Sequence, residues 1–242
     1  MGTTVVGQSR VGVSLIAFMA CVALCACESE GDSGPRASES AGVGATSLSA
    51  AELARAAVTA TDLDGYEINK TLTATSASRR TAEPAACDPV VQALGGSSAV
   101  TAVARVGRTI SSEKDSATGA TMILSSHSGE DAVRVIRALR TAAERCETFK
   151  DVAVGFRYDD VEVRPDPHYG DESVSLRLTQ LAALSEDEEA IRVPSAVLAV
   201  RQGATVAVFH QFNRPEKNGE TDPAVIPEAI VRAQLEKLTA TR

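Results

Sequence analysis

The sequence is poor in the residues that usually build enzyme sites and nucleic-acid surfaces. It has no tryptophan, 3 histidines, 3 methionines and 3% aromatic residues in a chain of 242. Its formal net charge is −8. Because binding to phosphate backbones needs a basic surface, nucleic acid is excluded as a partner class. The sequence contains no Walker loop, dinucleotide fingerprint, HExxH or CxxC motif, so it indicates no cofactor and no resident metal.

The chain also lacks an apolar run long enough for a typical membrane-spanning helix. Its longest run extends over the 16 residues from Val11 to Ala26, follows Arg10 and ends in small residues. That pattern is typical of a secretory leader rather than of a transmembrane helix. We therefore predict a signal peptide over residues 1–26.

The end of this leader, Leu24-Cys25-Ala26-Cys27, resembles a bacterial lipobox. The thiol of Cys27 would take a diacylglyceryl group, and the small Ala26 lets the peptidase approach the preceding bond. Cys25 follows a bulky leucine, and Cys21 is a weaker second choice. The alternative is a plain secretory leader with incidental cysteines. We predict a protein anchored through lipid on Cys27 at the extracytoplasmic face of the cell membrane.

Small and polar residues follow the leader. They have little to bury, so we predict a lipidated cysteine and flexible tether over residues 27–47 and one domain over 48–242. Two cysteines, Cys87 and Cys146, remain in that domain. Outside the cytoplasm such a pair is expected to form a disulfide. The alternative is two buried free thiols.

Periodicity within the domain predicts an α+β fold. Ser49 followed by Glu52 is a capping box ahead of an alanine-rich helix, and Glu130–Cys146 carries an apolar stripe at helical spacing. Asp88 is a good N-cap for a short helix, and an amphipathic helix closes the chain. Strands are predicted at 66–72, 99–106, 121–127, 152–158, 161–165, 174–181, 193–200 and 204–212. This order predicts a twisted, mostly antiparallel sheet with the helices packed on one face.

The segments LSAAELARAAVTATDLDGYEI, AACDPVVQALG and AAERCETF are followed by a late hairpin and a C-terminal amphipathic helix. In that order they are similar to the extracellular sensor domain of an actinobacterial transmembrane serine/threonine protein kinase, a domain that also occurs in lipid-anchored proteins. The resemblance covers about Ser47 to the end of the chain. It implies a twisted antiparallel sheet with helices, a cleft proposed to bind an unidentified ligand, and no enzymatic activity. The sequence departs from that family in having one cysteine pair where the domain typically has two, and no tryptophan.

The three histidines form no site by sequence. Ser125, Ser126 and His127 are adjacent, but the G-x-S-x-G elbow is absent, so a nucleophile and base are not favoured and no catalytic residue is assigned. His210 lies among apolar residues of a strand and is expected to be a packed, hydrogen-bonded ring. His168 has acidic neighbours that suggest a weak calcium site, but the spacing fits no EF-hand and an ordinary polar turn is preferred.

Arginine interrupts the less apolar face of three predicted strands, at Arg105, Arg157 and Arg177. If the helices cover the other face, these side chains converge across the sheet and bind an anionic ligand through bidentate contacts. The alternative is that they are solvated residues of the outer face in an arginine-rich chain.

These observations favour a monomeric, non-enzymatic domain that binds a small molecule, a lipid or a protein at the cell surface. A secreted hydrolase with an unrecognised active site and a structural envelope lipoprotein are the alternatives. A cleft lined by converging polar groups would favour the first function. A nucleophile hydrogen-bonded to a base would favour the second, and a flat apolar patch the third.

Overall fold

The elements below come from a computed structural model, which describes residues 45–71, 80–115, 119–182, 190–213 and 222–241. Within these ranges there are four α-helices: α1 (Ala50–Ala56), α2 (Asp88–Leu94), α3 (Gly129–Ala143) and α4 (Glu228–Ala240). The same ranges contain nine strands: β1 (Tyr66–Lys70), β2 (Ala82–Glu83), β3 (Ala104–Ser112), β4 (Gly119–Ser126), β5 (Phe149–Asp151), β6 (Arg157–Arg164), β7 (Glu172–Ala182), β8 (Ile191–Gln202) and β9 (Thr205–Phe212).

All nine strands belong to one sheet, in the order β1-β3-β4-β9-β8-β7-β6-β5-β2. Every neighbouring pair is antiparallel. The α+β class and the antiparallel sheet are thus confirmed. β8 and β9 form the predicted late hairpin, with the turn at Gly203 in the left-handed region (φ 61°).

Helix starts follow their local signals where a side chain satisfies the first free N–H groups. Ser49 and Glu52 form the predicted capping box at α1, an arrangement whose loss typically costs about 1 kcal/mol. Ser128 caps α3 by accepting the Asp131 N–H at 3.1 Å. Asp88, however, is not the N-cap of α2: Cys87 holds that position.

The helices pack on both faces of the sheet, so the prediction that they share one face is wrong. α2 and α3 form a core with Leu176 and Val197, whereas α1 and α4 form a second core with Leu198 and Phe209. Val197 pairs with Leu176, and the adjacent Leu198 pairs with Phe209. Successive residues of β8 therefore enter different cores, as the alternation of a strand requires.

The central strands show the physical reason for this arrangement. From Ser195 to Arg201, β8 is buried at every position, and β9 is buried from Thr205 to Phe209. Continuous apolar runs of this kind are typical of strands covered on both faces, whereas a sheet with one solvated face alternates strictly. The run Val197–Val200 carries that signal in the sequence.

Cys87 and Cys146 are joined in the predicted disulfide, with their Cα atoms 5.5 Å apart and a sequence separation of 59. Both are almost fully buried, at 1% and 2% exposure. Asp88, next to the bridge, accepts the Ala82 N–H through Oδ1 at 2.7 Å. The bridge therefore fixes the start of α2 to the end of α3, and β2 is attached to the same point.

The described part of the chain enters the domain at one end of the sheet. Leu48 donates its N–H to Ser126 Oγ at 2.7 Å, and Ser126 pairs with Thr205, the first residue of β9. The predicted signal peptide, Cys27 and most of the predicted tether lie outside the described residues, so these assignments stay predictions. Among the described helices none is long and apolar enough to cross a membrane.

Candidate functional site

A cleft of about 440 Å³ opens where β7 ends and β8 begins. It lies on the sheet face that α2 and α3 cover, because the strand residues in its wall pair with one another or follow at alternate positions. Four apolar and four polar side chains line it: Val154, Phe156, Val193, Phe212, Arg80, Tyr158, Gln180 and His210.

Arg80 provides the charged group of this cleft. Its side chain passes over Gly95, where a Cβ atom would lie 2.6 Å from Arg80 Cδ, so a larger residue there would displace the arginine. One guanidinium nitrogen donates to the carboxylate of Asp151, whose side chain is 0% exposed. The charge of Arg80 is therefore compensated within the protein. Its Nε has no hydrogen-bond partner in the described part of the chain.

Asp151 also builds the turn that forms the rim. Its Oδ1 accepts the Ala153 N–H at 2.9 Å, and its own N–H donates to the carbonyl of Phe156 at 2.8 Å. Gly155 donates to the carbonyl of Asp151 at 2.8 Å with φ at 78°, a conformation that glycine adopts without steric cost. One residue thus holds both Arg80 and the rim in place.

This turn replaces part of the strand predicted over residues 152–158. Of the four alternating apolar residues, only Tyr158 is buried; Val152, Val154 and Phe156 are 56%, 52% and 41% exposed. The prediction was wrong because the chain turns back at the glycine within the pattern, which ends the alternation. The apolar side chains of Val154 and Phe156, which would lie on one face of the predicted strand, therefore stand at the rim of the cleft.

Tyr158 and His210 form much of the polar wall. The Tyr158 ring stacks on Phe149 with centroids 4.8 Å apart. Burial raises the pKa of Tyr158, while the positive charge of Arg80 acts in the opposite direction. Burial, with a smaller effect of Arg80, lowers the pKa of His210 to about 4, so this ring is neutral near pH 7. Its Nε2 finds no hydrogen-bond partner among the described residues, contrary to the expected hydrogen-bonded ring.

The structure does not bring the three predicted arginines together. Following the register from β3 to β7 places Arg105 and its neighbour Ser125 on the face covered by α2 and α3. Arg177 lies on the opposite face, directly across from Glu162, and Arg157 shares that face. The expected convergence is wrong, because register rather than residue type decides the face. Anion binding by Arg157 and Arg177 stays a prediction.

Ser125 and His127 do meet, with Oγ and Nε2 2.9 Å apart. The single hydroxyl proton of Ser125 is directed to the carbonyl of Val206 at 3.3 Å, so the histidine acts as donor rather than base. Burial, aided by Arg105, lowers the pKa of His127 to about 4, and its ring is 0% exposed. Its Nδ1 has no partner in the part of the chain that the structure describes. This pair is therefore a buried packing contact and not an accessible nucleophile with its base.

His168 lies in an exposed turn with φ at 57°. Its N–H donates to Asp166 Oδ1 at 2.8 Å, and the same carboxylate oxygen accepts from Ser173. The described residues contain no group of three or more histidine, cysteine or acidic side chains placed to hold a metal ion. The local hydrogen bonds are those of a polar turn.

Comparison with known proteins shows that this fold occurs in a solved structure. The structure is similar to the extracellular domain of PknH from Mycobacterium tuberculosis, with a TM-score of 0.52. The match covers 81% of this chain and 100% of that chain at 12% sequence identity. Identity this low shows a shared fold and leaves function open. No protein-family model and no curated protein sequence matches the chain.

Sequence reasoning missed the residues that build this cleft. Arg80 and Asp151 lie 71 residues apart and belong to no recognisable motif. The one local signal was Gly155, since a glycine inside an alternating pattern indicates a bulge or break. That glycine predicts a turn, but it does not identify Arg80 as the residue that the turn contacts through Asp151.

Proposed function

We propose that this chain is a lipid-anchored, extracytoplasmic protein whose domain binds a small molecule in the cleft and catalyses no reaction on it. The observation that carries the proposal is a concave site with exposed apolar residues at its rim and polar side chains in its wall. Sites of this composition are the usual form of small-molecule binding sites. The shared fold with an extracellular domain, and the sequence resemblance to kinase sensor domains, support a sensing or accessory role.

A non-enzymatic role is supported by the chemistry of the wall. Arg80 is held by Asp151, and His210 is neutral and buried at Nε2. A general base needs a pKa near the working pH and reach to a proton on the substrate. Neither group combines these properties, and the pair Ser125–His127 lies at the other end of its strand.

Ligand binding can be tested by recovering what the protein carries. Wild type and the double variant Phe156→Ala/Phe212→Ala, purified after exposure to an extract of bacterial envelopes, would be extracted with solvent and compared by mass spectrometry. Val103→Ala is the matched control, because Val103 is also exposed (63%) but lies at the far end of the sheet. We expect a molecule in wild type and control that falls at least about fivefold in the double variant. Equal recovery from all three proteins would contradict the proposal.

Anchoring is tested separately. We expect wild-type protein in the membrane fraction and Cys27→Ala released from it, because a lipid requires that thiol. Equal membrane association and identical processing of both proteins would refute Cys27 as the anchor.

A further inference from the structure

The rim of the cleft offers an apolar surface that the free protein leaves in water. Val154, Phe156 and Phe212 are 52%, 41% and 43% exposed, and all three line the cleft together with the buried Val193. Apolar side chains grouped around a concavity differ from scattered surface residues, which need no explanation. The matching surface of a ligand is therefore apolar.

The described lining residues present no uncompensated charge. Arg80 is paired with the buried Asp151, and His210 is neutral near pH 7. The exposed cations that flank the rim turn, Lys150 and Arg157, are cross-strand neighbours on the opposite face of the sheet and do not line the cleft. An ion entering the cleft would lose hydration without gaining a free counter-charge, which disfavours charged groups. The buried end of the ligand is therefore neutral.

The wall still offers hydrogen bonds. Tyr158 lines the cleft, and its phenol hydroxyl can donate one hydrogen bond to a ligand. Gln180, the cross-strand neighbour of Tyr158, adds an amide on the same face. A ligand with no polar atom would leave these groups without a partner, at a cost in affinity.

We infer that the cleft takes an uncharged amphipathic small molecule. Its apolar part lies against Val154, Phe156 and Phe212, and a hydrogen-bond acceptor such as a carbonyl or ether oxygen lies against Tyr158. The inference rests on the proposed ligand-binding function and names the class of ligand for it.

Three naphthalene dyes test the two chemical requirements. Phenylnaphthylamine is uncharged, anilinonaphthalene sulfonate adds one negative charge to the same skeleton, and prodan is uncharged and carries a ketone. Each would be titrated by fluorescence into the full chain carrying Cys27→Ala, so that no attached acyl chain can enter the cleft. We expect saturable binding of both uncharged dyes and at least about tenfold weaker binding of the sulfonate.

Variants locate the binding and separate its parts. Val154→Ala and Phe156→Ala should weaken both uncharged dyes several-fold. Val103→Ala, the same change as the first at a site that is also more than half exposed, should leave them unchanged. Tyr158→Phe should weaken prodan about threefold to tenfold and leave phenylnaphthylamine unaffected, because one hydrogen bond is lost. Circular dichroism of each variant confirms that it is folded.

The outcomes distinguish this inference from the proposed function. If the sulfonate binds as tightly as phenylnaphthylamine and Phe156→Ala weakens it, the cleft binds ligands but the neutral class is wrong. If no dye binds, or binding ignores the cleft variants, the inference is overturned, while recovery of a carried molecule still decides the proposed function. Binding to phosphatidylcholine vesicles without binding to any dye would overturn it too, in favour of a rim that docks on a bilayer.

Discussion

The ion pair between Arg80 and Asp151 should stabilise the fold and the cleft together. The Asp151 side chain is 0% exposed and that of Arg80 is 19% exposed. Removing one partner of a buried pair leaves the other charge uncompensated, which typically costs about 3–5 kcal/mol. Because solvent reaches Arg80, we expect the lower end, about 3 kcal/mol, for Arg80→Met and for Asp151→Asn.

Urea denaturation of the two single variants and the double variant measures this coupling. In the double variant neither charge is left alone, so its loss should be smaller than the sum of the single losses by about 2 kcal/mol. Asp151→Asn should also weaken dye binding, since the carboxylate holds Arg80 in the wall of the cleft. Arg192→Met, which breaks the exposed pair with Asp159, is the control and should change stability little. Single losses that add to within about 0.5 kcal/mol would refute the reasoning.

Two further predictions concern stability. Replacing Cys87 and Cys146 together by alanine should lower the free energy of unfolding by about 4 kcal/mol, since the bridge spans 59 residues; a loss below about 1 kcal/mol in urea denaturation would contradict this. His127 has its pKa lowered from 6.5 to about 4 by burial, so the unfolded chain binds the proton first and stability falls as pH drops from 6.5 towards 4, by up to about 3 kcal/mol. His127→Gln should reduce that pH dependence to the part that His210 contributes, since the pKa of His210 is also lowered to about 4; an unchanged profile would speak against a buried neutral ring at His127.

Elements with a local signal were predictable from the sequence. The capping box at Ser49 depends on residues three positions apart, and the stripe of Glu130–Cys146 depends on one helical period, so α1 and α3 lie where expected. The disulfide was predictable because two cysteines leave one pairing. The face of the sheet that each helix covers was not predictable in the same way, because it depends on which strands become central. The three arginines show this. Each alternates with apolar residues in its own strand, but the pairing between strands decides which face of the sheet it occupies.

The cleft was beyond sequence reasoning for a related reason. An alternating segment has the same pattern whether its apolar side chains face a core or a ligand, so the pattern of Val152–Tyr158 predicts a strand and does not identify what its apolar side chains contact. His210 similarly has apolar neighbours in sequence, yet it lies in the wall of the cleft. A side chain that faces the core and one that faces the cleft differ only in their neighbours in the folded protein, here Arg80 held by Asp151. The segment whose apolar side chains are exposed thus coincides with the rim of the proposed ligand-binding cleft.

The point at which the chain joins the sheet lies far from the cleft. Leu48 is held at the end of β9 that begins with Thr205, while Phe212 closes the other end, roughly 23 Å along the strand. If the N-terminus is fixed to a membrane through the predicted flexible tether, the chain enters the domain at the end of the sheet away from the cleft. The attachment would then leave the opening of the cleft unobstructed.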